Sequence, residues 1–262
     1  MIACFALASP AASFNIVGGQ NAFLIAALLI VGLRLLRRWP LVGGALLGVL
    51  TLKPQFWILV PVVLIAAREW KALISSVAAA AVLVGISAAV FGVDAWQRWL
   101  DFAIGSFAAA DAKWVEYGRM WGDSVYACVV AGTGSQTLAN SAQAAAMLFA
   151  ACATYRAFRL PLPFDYKIAV ALAGTILAAP HSSLPDALLL AIAALLWISQ
   201  SGVDGASIWR WLLALCLWLI PFLNPPLVSP IGRLTPLVLI AFLGMVIAGG
   251  KSRRATQEEV FS

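Results

Sequence analysis

The sequence predicts an all-α protein, a polytopic membrane helical bundle of about eight to nine membrane segments that include one short broken-helix pair. Hydrophobic residues make up 63% of the 262 residues and charged residues only 11%, whereas about half of a soluble globular domain is apolar. The mean hydropathy of +0.96 agrees. The net charge of +6 comes from basic residues in short turns between apolar runs, which is typical of membrane topology signals and not of a nucleic-acid-binding surface.

The chain begins with a short apolar stretch, Met1 to Ala8, with no basic residue in it. A secretory signal peptide has a basic n-region and a longer apolar core, so we interpret this stretch as the end of a helix that begins upstream. A spanning helix needs about twenty apolar residues. The first candidate is Gln20–Leu36, which ends at a basic cluster.

The apolar residues from 40 to 67 are too many for one untilted span, and Lys53-Pro54 interrupts them. Proline removes a backbone donor and disfavours helix at the residue before it. We therefore predict two short helices, Pro40–Leu52 and Pro54–Ala67, that meet at a polar elbow. The first of them carries three glycines that permit close helix packing: Gly43, Gly44 and Gly48.

A further span, Ala72–Phe91, leads to a region of different character. Tryptophans alternate with polar residues at helical spacing over Asp94–Phe107, which predicts a helix in the membrane interface. The residues that follow are the most polar of the chain. We predict that residues 94–123 form an interfacial helix and an extracytoplasmic loop, and that this loop contributes to specificity.

The second half continues as apolar segments separated by polar turns. Together with the first half they form one predicted transmembrane domain, residues 1–250, followed by a charged cytoplasmic tail, 251–262, that we expect to be disordered. The predicted segments are Ser124–Ala131, Thr137–Phe158, Tyr166–Ala179, Leu184–Ser199, Trp209–Phe222 and Leu234–Ala248.

The positive-inside rule gives the orientation. If the first basic cluster is cytoplasmic, every later basic turn is cytoplasmic too, provided that the two short helices around the elbow act as an out-and-back pair. The basic residues concerned are Arg34, Arg37, Arg38, Arg68, Lys71, Arg156, Arg159, Lys167, Arg210, Lys251, Arg253 and Arg254. The same count puts the unusual polar residues on the extracytoplasmic side: Gln20, Asn21, Lys53, Gln55, residues 94–123, His181, Asp186, Asn224 and Arg233.

Each of these polar residues also has a structural interpretation. Gly19-Gln20-Asn21 could simply be a helix cap, and Lys53 could be a lysine that extends its ammonium to the interface, as lysines at helix ends commonly do. The functional interpretation of Lys53 is a cation that binds a lipid phosphate. His181 is either an interfacial histidine or part of a site, and Asp186 could merely complement the N-terminal dipole of its helix.

Taken in order, the polar motifs form a pattern. They are Gln20-Asn21 before a span, a basic cluster, a Gly-rich half-helix, Leu52-Lys53-Pro54-Gln55, a second half-helix, Arg68-Glu69-Trp70-Lys71, and Ala179-Pro180-His181 followed by Asp186. The pattern resembles the bacterial multi-spanning GT-C glycosyltransferases of family 87, which are similar to polyprenyl-phosphate-mannose-dependent α-mannosyltransferases. The resemblance is strong over Asn15–Trp99, moderate over Gln143–Leu190 and negligible in the tail.

The resemblance implies a GT-C-like fold, of which this chain would be the C-terminal part, and a location in the cell inner (plasma) membrane with the active face outside the cytoplasm. It implies transfer of a hexose, in this family mannose, from a polyprenyl-phosphate carrier to a glycolipid or glycan acceptor by an inverting displacement. No nucleotide sugar and no cofactor is implied. The donor-binding and phosphate-binding candidates are Gln20, Asn21, Lys53, Gln55, His181 and Arg233.

The catalytic base remains unassigned. The family's presumed catalytic Asp lies well upstream of the Gly-Gln motif, whereas only nineteen residues precede Gln20 here. We expect first that the chain is N-terminally truncated; the alternatives are that a partner supplies the missing part or that the base has moved. Alternative carboxylates have no argument beyond location: Asp94, Asp101, Asp111, Glu116 and Asp123. Nothing arranges them as a metal cluster, and the four isolated cysteines with one histidine support neither disulfides nor zinc.

Two other functions stay open. Broken helices with a cation at the break also occur in transporters, so a transporter or flippase of lipid-linked or small anionic solutes is the main alternative. Transporters typically carry paired breaks in two repeats, and the sequence has no second equivalent of the Lys53 elbow. An inactive membrane remnant is the third interpretation.

Overall fold

The computed structural model describes residues 2–108, 122–199, 207–223 and 234–260. All of the regular secondary structure in these residues is helical, which confirms the predicted all-α class for this part of the chain. Two 3₁₀ helices, Leu50–Leu52 and Leu184–Ala187, join longer elements. The α-helices are α1 Ile2–Leu7, α2 Pro10–Val17, α3 Ala22–Leu35, α4 Pro40–Val49, α5 Pro54–Trp57, α6 Val60–Ala67, α7 Trp70–Phe91, α8 Val93–Ala108, α9 Val125–Thr133, α10 Gln136–Arg159, α11 Phe164–Ala178, α12 Leu188–Ser199, α13 Ile208–Trp218, α14 Ile220–Leu223 and α15 Thr235–Val260.

The predicted elbow is present. Lys53 has φ −124° and ψ 88°, outside the helical region, as expected for a residue before proline. Helix α5 then begins with Pro54 in its first turn. The prediction of one continuous helix over 54–67 is wrong, because α5 ends at Trp57 and α6 starts at Val60. Pro61 has no N–H to donate to the Trp57 carbonyl, which explains the second break.

The expected disorder of the tail is also contradicted, since α15 continues to Val260. Residues 251–260 contain Lys, Arg, Ala, Gln and Glu, all of which favour helix, and they extend a helix that has already begun. Residues 261–262 lie outside the described part.

Glycines bring α3, α4 and α7 into backbone contact, as the sequence predicts. A Cβ at Gly44 would touch the Ala72 carbonyl oxygen and lie 2.7 Å from Ala72 Cα, and a Cβ at Gly43 would lie 2.7 Å from the Gly32 carbonyl oxygen. A Cβ at Gly48 would meet the Ser76 carbonyl oxygen. The three glycines therefore set the position of α4, and with it the position of the elbow that follows.

Helix α11 is the centre of the core. From Ile168 to Ala178 every residue is buried, as expected for a helix that is apolar on all sides. Helices α3, α5, α10, α12 and α15 all contact it. Because α11 ends inside the bundle, the turn at residues 179–183 is held next to α5 and the elbow.

Helix α7 is, in the described part, the helix long and apolar enough to cross a membrane, with 22 residues and a hydropathy of 2.3 over its best window. Only 11% of that window is buried, so α7 differs from the core helix of a soluble protein. At 1.5 Å per residue it spans about 33 Å, against about 30 Å of hydrocarbon. The other apolar helices of the described residues are shorter, and the number of membrane segments remains a prediction.

One ion pair connects two turns that the orientation argument placed on the same side. Arg34 Nη2 lies 2.6 Å from Asp165 Oδ1, and this contact joins the end of α3 to the start of α11. The elbow lies at the other end of this bundle, beyond α4. Which side faces the cytoplasm remains a prediction.

The glycine contact gives the first test. Gly44→Ala forces a methyl group against the Ala72 backbone, and we expect a loss of about 1–3 kcal/mol in unfolding free energy, measured as a lower thermal midpoint in detergent. Gly85→Ala on α7 is the matched control, because a Cβ there meets nothing within 4 Å. Equal midpoints for the two variants would contradict the described α4–α7 contact.

Candidate functional site

The site is centred on the elbow. Lys53 Nζ lies 2.8 Å from Asp186 Oδ1, and the two side chains are 18% and 4% exposed. The same ammonium lies over the Phe56 ring, 5.3 Å from its centre, so that the ring covers one side of the ammonium. Lys53 is thus a largely enclosed cation with a charge partner, and the simple snorkelling interpretation does not describe it.

Asp186 is held by the turn that precedes it. The Ser183 backbone N–H and the Ser183 hydroxyl each donate a hydrogen bond of 3.1 Å to Asp186 Oδ2. Asp186 therefore binds Lys53 with one oxygen and Ser183 with the other. The sequence suggested only a dipole role for Asp186, and no local signal could have revealed its partner 133 residues away.

A second segment is fastened to the same turn. The Asp123 backbone N–H donates to the Ser182 carbonyl oxygen at 3.0 Å, and Gly122 and Ser183 form an antiparallel bridge. Asp123 and Ser182 are both buried. The end of the polar region 94–123 therefore lies beside the residues that hold Asp186.

The remaining alternative carboxylates are placed less closely. Asp94 and Asp101 are exposed on α8. Asp111 and Glu116 lie outside the described residues, as do Asn224 and Arg233. Asp123 is thus the carboxylate of this set that the structure brings to the turn.

Gln143 fixes the surroundings of the turn from α10. Its Oε1 accepts from the Tyr126 N–H at 3.0 Å, and its Nε2 donates to the Leu177 and Ala178 carbonyl oxygens at 3.2 Å each. One buried amide therefore satisfies the start of α9 and the end of α11. No role of Gln143 is predicted from the sequence, although a glutamine flanked by alanines in the middle of a helix is a usable signal.

His181 lies at the outer side of the turn. Its ring packs edge-on against Tyr126, with 6.4 Å between the ring centres. The residue is solvent exposed on one side, whereas burial of the ring's other side lowers the pKa of His181. A neutral imidazole at pH 7 both donates and accepts a hydrogen bond.

The other predicted residues lie at element ends. Gln20 is exposed and its Nε2 donates to the Gly18 carbonyl oxygen at 3.3 Å. Asn21 precedes α3 but its side chain makes no cap hydrogen bond, so the capping interpretation is wrong for Asn21. Asn15 takes that role: with its amide oriented to match its neighbours, it accepts from the Ala22 N–H at 3.1 Å. Gln55 is half-buried on α5.

An open apolar groove of about 540 Å³ adjoins the elbow. The residues on either side of Lys53 contribute to its wall, the C-terminal half of α7 forms its floor, and α8 closes it with tryptophans. Its lining is Thr51, Leu52, Pro54, Leu83, Val84, Ile86, Ser87, Val90, Phe91, Ala95, Trp96 and Trp99. Nothing in the sequence pattern indicated this groove, because three elements form it together.

The fold and the site together define a protein that is helical in the part the structure describes and strongly apolar outside, with a paired lysine at a broken helix beside an apolar groove. The model of glycosyltransferase family 87 matches residues 1–183 of the chain, and the chain belongs to this family. A search of the curated proteins and a search of the solved structures found no match.

Family membership makes the protein a glycosyltransferase at the level of its family, which implies a sugar donor and an acceptor. Members of family 87 are typically membrane proteins, and the length and exposure of α7 agree with that location. The predicted family is thereby confirmed, and the sugar, the carrier lipid and the acceptor remain predictions.

The Gln143 contacts give a second test. Gln143→Leu leaves the Tyr126 N–H and the end of α11 without their buried partner, and we expect a loss of about 1–3 kcal/mol for each group left unpaired. The measurement is the thermal midpoint in detergent. Gln97→Leu, at an exposed position on α8, is the control, and a Gln143→Leu midpoint as high as that of Gln97→Leu would show that the contacts contribute nothing.

Proposed function

We propose that this chain is a membrane hexosyltransferase that uses a polyprenyl-phosphate hexose, with mannose as the proposed sugar. The acceptor is a glycolipid or glycan outside the cytoplasm. The observation that carries the proposal is that Lys53, a largely enclosed cation, lies in the chain between Leu52 and Pro54, two residues that line an apolar groove. A lipid phosphate combines the two features that such a site suits, an apolar chain and an anionic head.

In the proposed complex the isoprenoid chain lies along α7 and beneath the α8 tryptophans. The carrier phosphate accepts a hydrogen bond from Lys53, which has three N–H donors and gives one of them to Asp186. His181 and Arg233 assist at the phosphate, and Gln20, Asn21 and Gln55 donate to sugar or phosphate oxygens.

The proposed reaction is a single inverting displacement. An acceptor hydroxyl oxygen forms a bond to the anomeric carbon while the bond from that carbon to the carrier phosphate oxygen breaks, and the electron pair leaves with polyprenyl phosphate. The hydroxyl proton passes to a carboxylate base. Lys53 stabilises the negative charge that develops on the leaving phosphate. We assign no residue of this chain as the base.

The proposed location is the plasma membrane, with several spans and with the site on the extracytoplasmic side. What supports it is the distribution of basic residues along the sequence, together with the contact between Arg34 and Asp165 at the end of the bundle away from Lys53.

Lys53 gives the test of the proposed activity. In proteoliposomes supplied with polyprenyl-phosphate-mannose and a glycolipid acceptor, we expect Lys53→Met to slow the release of polyprenyl phosphate by about 100-fold, as the loss of one transition-state donor does. Lys71→Met, which removes an exposed lysine at the start of α7, should release product at the wild-type rate. Substrate-dependent uptake without product release by the wild type would favour the transporter instead.

The groove gives a separate test of the carrier. Val90 lines the groove, so Val90→Trp fills it, and we expect KM for a long-chain polyprenyl donor to rise about tenfold, which corresponds to about 1.4 kcal/mol of lost binding. A donor with a short prenyl chain should lose much less. Val82→Trp, at an exposed α7 position outside the groove lining, is the control. Equal KM values for all three proteins would show that the chain binds elsewhere.

A further inference from the structure

The ion pair at the elbow has a second member whose role the proposed reaction leaves open. We infer that Asp186 is a positioning residue that holds the Lys53 ammonium in a fixed place at the elbow and weakens the binding of the carrier phosphate to that ammonium. The inference rests on the proposed function, since Lys53 is the group through which Asp186 acts.

Asp186 is suited to hold another group because it is itself held. Its side chain is 4% exposed, and both of its oxygens have partners. Oδ2 accepts two hydrogen bonds from Ser183, and Ser183 belongs to a turn that is bridged to Gly122. Oδ1 is thereby left directed at Lys53. The carboxylate is a fixed anchor.

Lys53, by contrast, has a long and flexible side chain and lies at the junction between the 3₁₀ helix Leu50–Leu52 and α5. A free lysine loses about 2 kcal/mol of rotamer entropy when it is ordered. Contact with Asp186 and with the Phe56 ring orders the ammonium before any phosphate arrives. The transition state then does not have to supply that ordering.

The same contact sets the charge of the site. Lys53 and Asp186 are together neutral, so an arriving phosphate meets a cation whose field is partly cancelled at 2.8 Å. The paired ammonium therefore binds the donor and the product more weakly than an unpaired ammonium in the same enclosed position would. Release of the anionic product is correspondingly easier.

The geometry argues against a role of Asp186 as the general base of the reaction. A general base must face the acceptor hydroxyl with a free oxygen. Asp186 is buried, gives Oδ1 to Lys53, and gives Oδ2 to two donors of Ser183. Asp186 is therefore placed to act through Lys53 and not on the substrate.

The test separates kcat from the affinity for polyprenyl phosphate, which is measured as the inhibition constant of the product. Asp186→Asn keeps the shape of the side chain, but an Asn oxygen turned to Ser183 presents its NH₂ to Lys53. We expect kcat per folded enzyme to fall about tenfold or more, because the Lys53 ammonium is displaced from the position in which Asp186 held it. The inhibition constant should fall severalfold, because the positive charge of Lys53 is no longer partly cancelled by a neighbouring carboxylate.

Two variants serve as comparisons. Asp165→Asn breaks the ion pair with Arg34 at the other end of the bundle and should change neither quantity. Ser183→Ala removes the hydroxyl that holds Asp186 but keeps every charge, so kcat should fall severalfold while the inhibition constant stays at the wild-type value. A merely structural role would lower the folded yield without moving either quantity per folded enzyme.

The outcomes are distinguishable. An Asp186→Asn protein with an unchanged or higher inhibition constant overturns the inference while the proposed function stands, provided that the wild type binds polyprenyl phosphate and turns over. If Asp186→Asn does not fold, Ser183→Ala decides, and a wild-type kcat in that variant overturns the inference. A wild type that neither binds polyprenyl phosphate nor transfers sugar overturns the proposed function, and the inference with it.

Discussion

The interaction on which the site depends is the ion pair between Lys53 and Asp186. Both groups lie in an apolar bundle, where an unpaired charge would be very costly. Each charged group is therefore tolerated in the bundle only because the other is present. The pair ties the break after α4 to the turn after α11, two points that lie 133 residues apart in the sequence, and every other polar contact of the site is arranged around that connection.

The scaffold that makes this pairing possible is almost entirely apolar. Because Gly43, Gly44 and Gly48 have no side chains, α4 packs directly against the backbones of its neighbours. This packing determines where the elbow lies. The burial of α11 on all sides determines where the turn lies. Gln143 then satisfies the backbone groups that the end of α11 and the start of α9 would otherwise leave unpaired.

A site of this kind joins three requirements that are difficult to meet together. An amphiphilic donor needs an apolar surface for its chain and a charged group for its head, and the charge must not hold the product too tightly. In our proposal the groove along α7 supplies the apolar surface, Lys53 supplies the charged group, and Asp186 keeps that charge from holding the product too tightly. Family 87 membership gives the arrangement its context as part of a glycosyltransferase.

The sequence by itself determined the helical class, the elbow before Pro54 and the family, because these follow from local composition, from the backbone geometry of proline and from short motifs. The break before Pro61 was equally local, and the prediction missed it. Only the tertiary structure decided that Lys53 is paired, that Asn15 and not Asn21 caps α3, and that the elbow borders a groove. Partners far apart in sequence leave no periodicity, and a groove formed by three elements exists only after they have packed.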